Sequence, residues 1–78
     1  MAIVERFTFG LPAKSRSRTT TSCEVRRVVL SGGETLVQLR TFGSTDRQDV
    51  GTVSQSIELD RVLLAELLGI LQDQLNEF

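Results

Sequence analysis

The sequence predicts an α+β domain, a four-stranded antiparallel sheet followed by one C-terminal α-helix, and three observations carry that reading. Apolar residues alternate with period two in several short runs up to Leu59, as half-buried strands require. A Gly32-Gly33 pair divides two of those runs, the signal of a hairpin turn. After Asp60 the period changes to that of a helix, and leucine becomes the commonest residue.

In chain order, Ile3, Glu5, Phe7 and Phe9 alternate with Val4, Arg6 and Thr8 and predict a first strand over 3–9, closed by Gly10-Leu11-Pro12. Residues 13–22 are rich in Ser, Arg and Thr. Lys14 to Ser22 holds no apolar side chain, so it cannot fold on itself and reads as a flexible loop bearing Lys14, Arg16 and Arg18. Cys23–Leu30 is Val-rich and predicts a second strand. Thr35–Phe42 returns antiparallel to it, with Leu36, Gln38, Arg40 and Phe42 on one face and Val37, Leu39 and Thr41 on the other. A polar loop containing Arg47 leads to a fourth strand over 50–59.

Asp60 is placed as an N-cap, and Arg61 to about Asn76 reads as a helix of good formers. Its apolar arc is about 160° wide, against the roughly 100° that suffices to dock a helix on one core. Two burials explain that width: one against the sheet, and one against a partner through Leu64, Leu68, Leu71 and Leu75.

Size leads to the same expectation. A single domain of 78 residues buries only about 60% of its unfolded surface, and small folds compensate with disulfides, a metal or association. Cys23 is the only cysteine and there is no His, so no disulfide framework and no metal site are expected, leaving a homo-oligomer. A lone cysteine fits a reducing compartment, the start Met1–Arg6 is too polar for a secretory signal, and no run approaches a membrane span. A cytoplasmic address is therefore expected. Net charge is −1, but residues 1–47 sum to +4 and residues 48–78 to −5. Halves on different faces would give a positive side that concentrates polyanions.

Catalytic chemistry is missing from the residue types. Without His, the commonest general base is absent, and Asp46, Asp49, Glu58 and Asp60 read as turn acids and a cap rather than a catalytic pair. Gly32-Gly33-Glu34 opens no helix and carries no Lys-Ser/Thr, so it is no phosphate cradle. No enzyme activity, cofactor or small-molecule substrate is expected.

Val25-Arg26-Arg27-Val28-Val29, the glycine hairpin, Leu36-Val37-Gln38-Leu39-Arg40-Thr41-Phe42, and Gln55-Ser56-Ile57-Glu58-Leu59-Asp60 entering a helix with Leu67 form a recognisable series. From Cys23 to about Leu71 the chain resembles the transcriptional positive cofactor 4 family of single-stranded DNA-binding proteins. The resemblance implies a homodimer of curved sheets that groove an unpaired strand, with helices pairing across the interface. It implies phosphates held by basic side chains and bases stacked on rings. Arg40 and Phe42 match the family's Arg and aromatic pair. Ser31, Glu34 and Gly43 stand where the family carries an aromatic, a Lys and a further aromatic.

The sequence thus leads to a homodimeric single-stranded DNA- or RNA-binding accessory of transcription or replication. Lys14, Arg16, Arg18, Arg26, Arg27, Arg40, Phe42 and Arg47 are its candidate contacts. Two bland readings stand beside these contacts: Phe42 packs as a strand end, and the arginines cover a solvated sheet face. The alternative function is a protein-interaction or assembly adaptor that dimerises through its helix.

Overall fold

The computed structural model describes residues 2–14, 18, 20–42 and 53–78. Its elements are β1 (Ala2–Ile3), β2 (Cys23–Val29), β3 (Thr35–Phe42), β4 (Val53–Leu59) and α1 (Arg61–Glu77). The strands form one open sheet in the order β1-β4-β3-β2, and α1 contacts β3 and β4. The predicted class, four strands and a C-terminal helix, is the observed one.

Two details of the sheet differ from expectation. β1 is two residues long rather than seven, and it runs parallel to β4, so the sheet is mixed. Beyond it, one more bond joins Val4 N–H to the carbonyl of Glu58 at 2.8 Å, and residues 4–14 have no regular structure. Period two marks a strand only when burial follows it. Here Val4 and Phe7 are half-buried while Ile3 and Phe9 are exposed, a spacing of three.

The hairpin is built from a three-residue loop. Leu30 N–H donates to the Glu34 carbonyl and Gly33 N–H to the Leu30 carbonyl, both at 2.8 Å. Gly33 has φ 87°, the left-handed conformation that closes such a loop. Only one of the two glycines is therefore required by the backbone. β2 ends at Val29, one residue before the predicted boundary. β4 begins at Val53 among the described residues, and the predicted start at Val50 lies outside them.

The helix begins where Asp60 predicts. Its carboxylate accepts from Leu63 N–H at 2.8 Å, satisfying one of the free amides of the first turn. Leu63 is buried, and Leu67 and Ile70 are half-buried, so these three form the inward stripe.

Among the described residues, Leu36, Leu59 and Leu63 are the buried apolar ones. Leu59 pairs with Val37, so alternation sets it on the sheet face opposite Leu36. Such a core is thin. Accessible surface is 6948 Å², against about 4,700 Å² for a compact monomer of this mass. The radius of gyration is 14.9 Å, against about 11.5 Å for this length. Part of the excess lies in the irregular segments, and part along α1, where every residue outside the inward stripe is exposed.

Candidate nucleic-acid interface

Strand pairing decides which candidate residues meet. The β2–β3 register sets Glu24 opposite Arg40, Arg26 opposite Gln38 and Arg27 opposite Val37. The β3–β4 register continues those rows to Ser56, Glu58 and Leu59. Directly paired side chains share a face, so Glu24, Arg26, Gln38, Arg40, Ser56 and Glu58 lie on one side. Arg27 lies on the other. It was expected beside Arg26 and Arg40, but consecutive strand residues point to opposite faces.

The shared face carries a connected polar network. Arg26 Nε donates to Gln38 Oε1 at 2.6 Å, and Gln38 Nε2 donates to Glu58 Oε2 at 3.0 Å. Gln38 is 0% and Glu58 6% exposed. Such a row holds together only because each buried group has a partner. In the neighbouring row Arg40 Nε donates to Glu24 Oε1 at 2.5 Å, and Arg26 stands 3.9 Å from the same oxygen. The Arg40 hydrogen bond holds the Glu24 carboxyl below its ordinary value, partly opposed by desolvation and assisted by the charges of Arg40 and Arg26.

Arg40 also stacks. Its guanidinium carbon lies 5.4 Å from the Phe42 ring centroid, within cation–π reach. Phe42 is half-buried at a register shift between Thr41 and Phe42, the kind of irregularity that re-aims a side chain. Thr21 clasps its backbone: the hydroxyl donates to the Phe42 carbonyl at 3.0 Å and accepts from the Phe42 N–H at 3.3 Å.

Arg26, Arg40 and Phe42 are thus brought together, and Glu24, Gln38, Glu58 and Thr21 join them without having been singled out by sequence. Gln38 could have been found from its alternation with Arg40 and Phe42, and Glu24 only once the length of the turn was fixed. Glu58 could not, because the 43–52 connection hides its register. Lys14 and Arg18 are exposed, while Arg16 and Arg47 lie outside the described residues. The expected separation of positive and negative halves does not hold on this face: Glu24 and Glu58 balance Arg26 and Arg40. Cys23 is an exposed free thiol at the start of β2.

The four leucines proposed to face a partner are all exposed, from 38% at Leu64 to 68% at Leu75. They line a stripe beside the inward one, and Arg61, Leu64, Leu67, Leu68 and Leu71 border an open groove along it. Where the groove meets the sheet, a pocket of about 580 Å³ opens between Arg27, Val37, Leu59, Arg61, Val62 and Leu64, with Glu34 and Asp60 at its polar side. Among the described residues no three metal-ligating side chains gather, and no helix is long and apolar enough to cross a membrane. No protein-family model, curated protein or solved structure matches the chain.

Proposed function

We propose that the chain is a homodimeric single-stranded nucleic-acid-binding protein, an accessory of transcription or replication acting in the cytoplasm, and not an enzyme. The observation that carries this reading is the Arg40–Phe42 stack beside Arg26, a cation and a ring on one sheet face. Unpaired strands are bound by that combination: cations release counterions from phosphates, and a ring face accepts any base. Half-buried Phe42 offers part of one ring, so stacking supplies less than the roughly 1–3 kcal/mol of a fully used platform. Exposed Lys14 and Arg18 add phosphate contacts from the loop, and a second protomer doubles the set.

One observation favours a different class, an assembly adaptor. The arginines on the stacked face are matched by two carboxylates, whereas the leucines of the apolar stripe on α1 are exposed. Salt separates the two readings. Anisotropy of a labelled single-stranded oligonucleotide, titrated at low and physiological salt with duplex as competitor, should show saturable binding that weakens with salt and resists duplex. Absence of binding at low salt would leave the adaptor.

A further inference from the structure

The outward stripe of α1 has a spacing that constrains how it pairs. Arg61, Leu64, Leu68, Leu71, Leu75 and Phe78 follow at intervals of 3, 4, 3, 4 and 3. That alternation keeps one seam between two supercoiled helices. The inward residues Leu63, Leu67 and Ile70 stand on a separate stripe, so docking on the sheet leaves the seam open. Phe78, the C-cap residue at its far end, is fully exposed.

The ends of the seam choose the orientation. A parallel, in-register pair would set Arg61 against the partner's Arg61 and align both helix dipoles, which repel. Antiparallel packing alternates the two seam positions, so Leu64 meets the partner's Leu75, Leu68 meets the partner's Leu71, and Arg61 meets the partner's Phe78. The flanking Ala65, Gln72 and Gln74 carry no charge and so oppose nothing.

What stands at Arg61 gives that register its second support. Arg61 and Leu64 line both the groove along the helix and the 580 Å³ pocket where it meets the sheet, so the two are continuous. The pocket offers an apolar wall of Val37, Leu59, Val62 and Leu64 and two cations, Arg27 and Arg61. Glu34 and Asp60 offset those two charges, so the lining is balanced and what it offers an arriving group is the apolar wall and the Arg61 face. The arriving helix end brings the unburied Phe78 ring, an aromatic for the wall and for cation–π contact with Arg61.

We infer that two copies pair antiparallel along α1, with Phe78 of each seated in the other's pocket beside Arg61. This rests on the homodimer of the reading above and does not depend on nucleic-acid binding.

The test is cysteine pairing in the full chain carrying Cys23→Ser, Leu64→Cys and Leu75→Cys. Eleven residues of helix separate the two positions by about 16 Å, beyond the roughly 7 Å a disulfide spans. A 64–75 disulfide mapped by mass spectrometry is therefore between chains, and it is the expected product. Disulfides of 64–64 and 75–75 would mean parallel helices, overturning the inference while sparing the dimer. A monomer in sedimentation of the unaltered chain at tens of micromolar would overturn both. Phe78→Ala should weaken the dimer about tenfold or more, as a buried aromatic anchor does, with helix content by circular dichroism retained. An unchanged dissociation constant would unseat Phe78 from the pocket.

Discussion

Arg40 gives its Nε–H to Glu24 at 2.5 Å while its guanidinium lies over the Phe42 ring. One hydrogen of the fork is thus taken, and a carboxylate stands where a phosphate would approach. If this face binds nucleic acid, Glu24 competes with the ligand for Arg40. Glu24→Gln keeps an oxygen acceptor and removes the charge. It should raise affinity for a single-stranded oligonucleotide about two- to fivefold, the worth of an exposed ion pair, while Arg40→Ala lowers it. Anisotropy titrations of the two variants check this, and a loss of affinity in Glu24→Gln would make Glu24 a positioning group instead.

The same pair has a pH signature. Because Arg40 depresses the folded-state titration of Glu24, its contribution to stability is present above the unfolded carboxylate value. It is lost as pH falls through the lower folded one. Carbon-detected NMR titration should find Glu24 ionised below the pH at which exposed glutamates protonate. In Arg40→Ala its midpoint should move upward toward theirs.

Gln38 relays between a charged surface and a buried carboxylate. Gln38→Leu leaves Glu58 without its donor, and an unsatisfied buried polar group costs about 1–3 kcal/mol. Urea unfolding should show that loss. The Gln38→Leu/Glu58→Leu double variant should recover part of it, since removing both partners spares the desolvation penalty.

The two hairpin glycines should respond unequally. Neither would meet a neighbour on gaining a Cβ, so space does not distinguish them. Gly33→Ala forces an L-residue to the left-handed φ and should cost about 1–2 kcal/mol. Gly32→Ala, without that φ, should change thermal stability by less than about 0.5 kcal/mol.

At the helix start, Asp60→Ala removes the acceptor of the Leu63 amide and should cost about 1 kcal/mol, with Asp60→Asn nearly neutral. Because α1 is buried at Leu63 and exposed over most of its length, the loss should appear as lower helix content as well as a lower unfolding midpoint.

Local chemistry was legible in the residues themselves. The Asp60 cap, the span of α1, the alternation of Leu36, Gln38, Arg40 and Phe42, and the two-sided apolar arc all follow from spacing within one element. The backbone of a strand or helix converts such spacing directly into direction. Relations between elements were not legible in that way. A two-residue turn on Gly32-Gly33 would have set Glu24 opposite Thr41; the three-residue loop closed by Gly33 sets it opposite Arg40. One residue of turn length therefore decides whether the arginine stands paired. The meeting of Glu58 with Gln38 crosses a connection longer than any turn rule covers, and the parallel entry of β1 is set by the free edge of β4. Spacing along the chain set β2, β3, α1 and the faces they present, because those depend on torsions and neighbours a few residues apart; it did not set β1, whose two residues are those that the β4 edge pairs. Which charges cancel was left to the assembled sheet, because that depends on register, and register is chosen by all the strands at once.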